Sequence, residues 1–213
     1  MAKKSPETYK SSKNTVLKSC TKKGYSFTGW YTDENLENKI TKIAKGTLGD
    51  ITLYAQWQAI TYTIKYHLDG GTNNIKNPET YTVSKKVLLS SPKKEGYTFK
   101  GWYTDSAYSK KITNIKKGSS EDIGIYAKWQ VNKYNIKFNA NKGKGKLATL
   151  KNCEYDKEYT LPDNTFTRNG YTFKGWNTKK NGTGESLKNA QEVKNIIYKN
   201  KKTVTLYAQW VKN

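Results

Sequence analysis

The chain has 213 residues and carries 39 lysines and arginines against 17 acids, a net charge of +22. Charge of that size bears on solubility and on attraction to polyanions, not on fold. Arg168 is the sole arginine, so the basicity suits diffuse attraction to phosphate or sulfate rather than bidentate base reading, and no specific nucleic-acid partner is expected.

Two phrases recur along the sequence and set its organisation. The first reads "GYSFTGWYTD" at 24 to 33, "GYTFKGWYTD" at 96 to 105 and "GYTFKGWNTK" at 170 to 179; the second reads "LYAQW" ending at Trp57, "IYAKW" ending at Trp129 and "LYAQW" ending at Trp210. Together they hold all six tryptophans. Gly24, Gly96 and Gly170 are 72 and 74 residues apart, a period longer than that of solenoid units, so each copy reads as a small domain. At this size burial is limited, and large aromatic rings are an efficient way to fill a core. Trp30, Trp57, Trp102, Trp129, Trp176 and Trp210 are therefore expected in the core. The units fall at residues 1–57, 61–129 and 133–213.

Copy one, 1–57, is truncated. "SPETY" (5 to 9) aligns with "NPETY" (77 to 81), leaving four residues where copy two has its first strand. A sheet short of one strand exposes an edge, which invites pairing with another chain or local disorder. The simplest account is that Met1 marks a cut through a longer array.

Copy two, 61–129, begins with "TYTIKYHL", where Tyr62, Ile64, Tyr66 and Leu68 alternate with polar neighbours as in a half-wet strand. "DGG" (69 to 71) predicts a hairpin turn. In the signature, Tyr97 and Phe99 share a face and Trp102 has the opposite parity; a bulge at Gly101 would rotate the tryptophan inward. Ile112 and Ile115 fit a helical turn or an irregular strand equally well. Ile123, Ile125, Ala127 and Trp129 alternate again in the closing strand, leaving Tyr126, like Tyr54 and Tyr207 of the other copies, on the opposite parity. No copy contains a sustained amphipathic helical period.

Copy three, 133–213, repeats the first strand as Tyr134, Ile136 and Phe138. The interval between its two tryptophans is 34 residues against 27 in the others, which predicts a longer loop after Trp176, around "KKNGTGES" (179 to 186). The basic excess runs +5, +6 and +11 over the three copies. Copy three is thus the candidate polyanion-binding unit, through Lys142, Lys144 and Lys146 in its turn and Lys199, Lys201 and Lys202 before its last strand. The linkers "QAIT" (58 to 61) and "QVNK" (130 to 133) lack Gly and Pro, which predicts modules held end to end with limited play.

These residues carry a resemblance. The glycine-tryptophan signature, the glycine-rich turn and the closing aromatic phrase resemble the Listeria–Bacteroides repeat, the B-repeat of internalin B. The likeness covers nearly the whole chain, and copy three departs from it where Asn177 replaces the tyrosine after the tryptophan. The resemblance implies tandem β-grasp, ubiquitin-like modules on secreted or wall-attached bacterial proteins, with adhesion or spacing rather than catalysis. The residues alone support a mainly β chain, with α+β as the variant.

The remaining chemistry is sparse. His67, the sole histidine, falls on a polar strand face and reads as a surface residue. Asp33 and Asp105 follow "GWYT" and suit turn initiation; copy three has Lys179 there. Glu154, Asp156 and Glu158 alternate, which predicts cross-strand ion pairing rather than calcium binding. Cys20 and Cys153 stand at non-equivalent places, arguing against a disulfide framework, and no Cys/His cluster suggests a metal. No run reaches the ~18 apolar residues of a spanning helix, and "MAKKSPETYK" has no apolar core for a secretory signal. No catalytic, cofactor or metal residue is expected, and the chain reads as a non-enzymatic spacer or stalk of a cell-surface or secreted protein. Host or wall polyanions, such as a glycosaminoglycan, or a protein receptor are the expected partners.

Overall fold

Alternation of buried and exposed side chains makes this chain a succession of strands, with no helix among the residues described. The computed structural model describes residues 7–213. Copy one supplies β1 (Thr15–Val16), β2 (Tyr25–Tyr31), β3 (Lys39–Ile40), β4 (Lys42–Ile43) and β5 (Tyr54–Ala59). Copy two supplies β6 (Tyr62–His67), β7 (Thr80–Tyr81), β8 (Val87–Leu88), β9 (Tyr97–Tyr103), β10 (Lys111–Ile112), β11 (Asn114–Ile115) and β12 (Ile123–Val131). Copy three supplies β13 (Lys133–Asn139), β14 (Leu150–Glu154), β15 (Tyr159–Thr160), β16 (Tyr171–Asn177), β17 (Ser186–Leu187), β18 (Glu192–Val193) and β19 (Thr203–Lys212). Ile112 and Ile115 fall on two short strands, which decides for the irregular strand over the helical turn. The chain is mainly β.

By contact density the chain divides into two compact units. The first comprises the described residues up to His67 with Ile75–Ser90 and Tyr103–Tyr126; the second comprises Leu68–Asn74, Ser91–Trp102 and Ala127–Asn213. The second unit contains all of copy three, whose main sheet has the order β14-β13-β19-β16-β17. β13 and β19 lie parallel at its centre, with Asn135 opposite Thr203 and Asn139 opposite Tyr207. Tyr134, Ile136 and Phe138, alternating along β13, are buried together with Leu206 and Ala208 of β19, Trp176, Cys153, Leu161 and Phe166. The same alternation leaves Lys133 and Lys137 exposed.

In the first unit, β6 pairs parallel with Ile123–Tyr126 of β12 and antiparallel with β7. Ile64, Ile125 and Tyr81 are buried there. Copy one forms a three-stranded sheet of order β3-β2-β5. Among the described residues no strand pairs along the other side of β5, where β12 and β19 each meet a first strand in their own copies. Residues 1–6, which include the start of "SPETY", lie outside the described residues. Among the described residues of this copy Ile43 is the buried apolar side chain; a cavity of about 800 Å³, lined by Leu17, Trp30, Ile43 and Leu53 among others, opens beside it.

The signature strands of copies one and three carry the kind of bulge expected at Gly101 of copy two. Pairing of β2 with β5 shifts register between Phe27 and Gly29, and pairing of β16 with β19 shifts between Phe173 and Gly175. Gly29, Gly101 and Gly175 have φ of 156°, 138° and 147°, values that suit a residue without Cβ. The extra residue turns the first tryptophan to the same side as the phenylalanine three positions earlier. In each copy that phenylalanine then contacts both tryptophans: Phe27 lies 5.4 Å from Trp30 and from Trp57, Phe99 5.3 Å from Trp102 and 5.5 Å from Trp129, and Phe173 5.0 Å from Trp176 and 5.8 Å from Trp210. Edge-to-face aromatic pairs of this kind add to the area they bury. Trp102 and Trp176 are 2% and 1% exposed. Trp30, Trp57, Trp129 and Trp210 are half-buried.

The half-buried closing tryptophan has a second task. Trp129 Nε1 donates to Leu68 O at 2.9 Å, and Trp210 Nε1 donates to Ala140 O at 2.9 Å. Each indole thereby covers the glycine turn that follows the first strand, and a Cβ on Gly71 or Gly143 would press on that ring at 2.7 Å. The "DGG" turn is present, with Asp69 and Gly70 both at positive φ and Gly71 N bonded to Leu68 O. It does not close a tight hairpin as expected: the returning strand is β7, which pairs back to Tyr62 and Thr63.

The seven extra residues of copy three are spread out rather than gathered at 179–186. Trp30 pairs with Ile40 and Trp176 with Leu187, a gap of ten against eleven. Ile112 to Ile115 is three residues, and Leu187 to Val193 is six. The last three fall between Val193 and Leu206, where copy two spans ten residues from Ile115 to Ile125 and copy three spans thirteen. Loop-forming residues mark where a chain turns; they do not show where it grew.

Candidate functional site

Lysines 142, 144 and 146 are exposed in the turn after β13, and Lys199, Lys201 and Lys202 are exposed before β19. They sit at opposite ends of the sheet. Lys201 N bonds Lys133 O at the start of β13, whereas Lys142 follows its last residue, Asn139. Seven residues of strand separate the two clusters by roughly 20 Å, so they do not converge on one ligand. Lys142 and Lys144 meet other basic groups instead. A shallow cleft of about 650 Å³ is lined by both, with Arg168, Gly170, Tyr171 and Asn213, and Lys180 joins Lys142 and Arg168 in a neighbouring depression. The Arg168 guanidinium stacks 3.6 Å from the Tyr171 ring, as Lys22 does over Tyr25 and Lys94 over Tyr97.

The acidic side chains act as braces. Asp33 accepts from Glu37 N at 2.9 Å and Asn38 N at 2.7 Å, and Asp105 accepts from Ser109 N at 3.0 Å and Lys110 N at 2.8 Å. Those backbone donors hold both carboxyls below the usual aspartate range. In copy three the same task passes to Asn177, which is fully buried. Its Oδ1 accepts from Lys179 N at 2.8 Å and Gly184 N at 3.0 Å, and its Nδ2 donates to Gly182 O, Gly184 O and Ser186 Oγ. Glu154 pairs across the sheet with Lys133 at 2.8 Å. Asp156 does not continue the alternation expected for 154, 156 and 158; it lies in a turn with φ of 63°. His67 is half-buried and stacks flat on Tyr126, centroids 4.1 Å apart, because parallel pairing puts the two residues side by side. It is thus packed rather than solvated. Cys153 is buried and Cys20 half-buried, and both are free; burial pushes the Cys153 thiol up. No group of three or more metal-ligating side chains gathers among the described residues, and no helix among them is long and apolar enough to cross a membrane.

A second polar constellation surrounds the linker at Asn132. Asn132 N donates to Gly96 O at 2.8 Å, its Oδ1 accepts from Thr98 Oγ1 at 2.6 Å, its Nδ2 donates to Tyr198 O at 2.8 Å and its carbonyl accepts from Tyr155 N at 2.9 Å. Tyr155 OH donates to Glu95 and Tyr97 OH donates to Asp156, each at 2.9 Å. The ring of Tyr155 lies on Gly96, where an added Cβ would overlap it. In the first unit the earlier linker repeats part of this: Ile60 N donates to Gly24 O at 3.0 Å, and an added Cβ on Gly24 would overlap Val83. Val83 and Tyr155 are 72 residues apart, like Gly24 and Gly96. That shared offset is the signal in the sequence for this contact, which the four-residue linkers alone do not carry.

These groups titrate outside the neutral range. Bonds from Asn195 and then Tyr97 lower Asp156, while burial and then the Glu95 bond raise Tyr155 to about 12. A lowered carboxylate contributes above its unfolded value of about 3.9 and is lost as pH falls through the folded one; a raised phenol contributes below about 10 and is lost as pH climbs through the folded value. An NMR titration is expected to find Tyr155 neutral through pH 10. An ordinary phenol midpoint there would contradict the packing.

Comparison with known proteins accounts for the repetition. The model of the Listeria-Bacteroides repeat domain matches at residues 2–56, 62–128 and 134–209. Among related sequences, a predicted membrane protein of Evansella cellulosilytica is 34% identical over 194 residues, covering 90% of this chain and 28% of that protein. A predicted glycine-rich membrane protein of the same organism is 32% identical over 162 residues, 73% of this chain and 18% of the other. Internalin H of Listeria monocytogenes is 40% identical over 87 residues, 39% of this chain and 15% of the internalin. The chain spans less than a third of each relative's length, and no solved structure matches it. With three tandem matches that together cover most of its length, the chain belongs to the Listeria-Bacteroides repeat family.

Proposed function

We propose that this chain is a non-catalytic spacer in a bacterial surface protein, built of tandem β-grasp modules at 1–57, 61–129 and 133–213 that hold an interaction head away from the envelope. The observation that carries the reading is the linker residue Asn132, because its bonds to Gly96 and Thr98 on one side and to Tyr155 and Tyr198 on the other transmit position where a free tether would not. The β-grasp assignment is supported by the parallel pairing of first and last long strands in copy three. Surface placement is supported by the internalin and the membrane proteins among the relatives. The test is display. An epitope joined to the end of this chain on an anchored carrier should gain antibody access as copies two and three are added in turn; equal access with and without them would remove the spacer role.

A second reading, adhesion to a polyanion of host or wall, is favoured by Lys142, Lys144, Arg168 and Lys180 around adjoining depressions. The two triple variants K142Q/K144Q/K146Q and K199Q/K201Q/K202Q remove equal charge from opposite ends of one sheet. For a spacer coated in lysine, both are expected to lower the salt needed to elute the chain from heparin by the same amount. A much larger loss for either triple would assign a site to that end. Pairing of another strand along β5, which has no strand on its other side among the described residues, would be a separate contact made through backbone hydrogen bonds rather than charge.

A further inference from the structure

The opening glycine of the signature has three settings in this one chain. Gly24 and Gly96 are buried, with φ of 78° and 74°, and each is covered by a side chain of the following copy, Val83 and Tyr155 respectively. Gly170 has the same conformation, φ 71°, yet it is exposed, and a Cβ placed on it would meet nothing within 4 Å. The groups around it nonetheless repeat those that seat copy three on copy two. Asn213 N donates to Gly170 O at 3.1 Å as Asn132 N does to Gly96 O, and Thr172 Oγ1 donates to Asn213 Oδ1 at 2.7 Å as Thr98 does to Asn132. Arg168 lies over Tyr171 as Lys94 lies over Tyr97. The face is therefore set in the form its counterpart has when occupied, and little reorganisation would be needed to fill it.

We infer that the Gly170 face is a docking surface for a further module of this same kind joined at Asn213, whose counterpart of Tyr155 would lie on Gly170 and donate its backbone N–H to the Asn213 carbonyl. Two features select this occupant. A left-handed glycine beside an aromatic ring leaves room for a side chain to lie flat against the backbone, which is how both equivalent glycines are used in this chain. The cations Arg168, Lys142 and Lys144 on the rim suit an acid placed like Asp156, which follows Tyr155 and is itself held below its usual range by Asn195, Tyr97 and nearby lysines. The inference rests on the tandem-module reading and not on what the array projects, so the display experiment and this one fail separately.

The experiment appends a second copy of residues 133–213 directly after Asn213 of the full chain and follows amide hydrogen exchange at the appended counterpart of Tyr155. Exchange as slow as that of Tyr155 itself, within about threefold, is expected, and Gly170→Val should accelerate it at least tenfold. Because that substitution strains copy three, Thr172→Val serves as the second variant: it should accelerate the appended amide while Leu206, in the copy-three core, stays protected. An appended amide exchanging at the rate of a free loop, or one unmoved by both variants while Leu206 remains protected, would overturn the assignment. So would inorganic polyphosphate binding this face as well in the extended chain as in the three-copy chain, since a seated module would cover it.

Discussion

Asn177→Leu is expected to destabilise copy three by about 3–5 kcal/mol, with the loop from Lys179 to Ser186 losing its exchange protection first. Leucine matches asparagine in size and accepts burial, so the loss is one of hydrogen bonds rather than volume. Five bonds converge on that amide, from or to Lys179, Gly182, Gly184 and Ser186. A buried partner left unsatisfied costs about 1–3 kcal/mol, and part of that is recovered as the loop frays into water. Urea unfolding followed by tryptophan fluorescence, with exchange at the Gly184 and Lys179 amides, reads both effects. A midpoint within experimental error of the parent would show that the loop is held by its ends alone. Asp105→Ala in copy two is the informative contrast: it removes a half-buried carboxylate that holds the corresponding loop, and its effect should be the smaller.

Gly96→Ala should cost about 2–4 kcal/mol, in two separable parts. A Cβ at φ of 74° brings about 1–2 kcal/mol of backbone strain. The rest is displacement of the Tyr155 ring, which occupies the place the Cβ would take. The double variant Gly96→Ala/Tyr155→Ala removes that overlap, so the two changes should couple by roughly 1–2 kcal/mol in a thermodynamic cycle. Simple additivity would mean that ring and glycine do not share space in solution. Gly170→Ala in the same chain carries the strain without the overlap, and its cost isolates the first part.

How much of this could be read from residues alone depended on how local the cause was. Tyr134, Ile136 and Phe138 declare a half-buried strand because alternation is set by the backbone itself. The parity break at Gly101 points to a bulge for the same reason, and the equivalent Gly29 and Gly175 carry one. The partners of those strands were not legible: nothing in "YNIKF" or "TVTLYAQW" says that the two run parallel, since that follows from how the intervening chain packs. His67 was misread as a solvated residue through that gap, because its packing against Tyr126 exists only in parallel register. The distances between charges were hidden as well. Lysines 142 and 199 sit in similar basic stretches, and it is the strand between them that sets them at opposite ends. Asn177 stood out as a departure from the repeated phrase, but its task needed the three-dimensional loop, since its partners lie up to nine residues away.

The parallel seating of β13 beside β19 also decides how copy three bears load. The chain enters at one end of the sheet and leaves at the other, so tension along it slides these two strands past each other. The positions from Asn135 to Asn139 and from Thr203 to Tyr207 then resist in shear and must give way together. Pulled instead across β13 and its antiparallel neighbour β14, the pairs would unzip one after another. Single-molecule extension through residues 133 and 213 should therefore rupture at clearly higher force than extension through residues 133 and 154, making the module a mechanical link along the chain and a weak one across it.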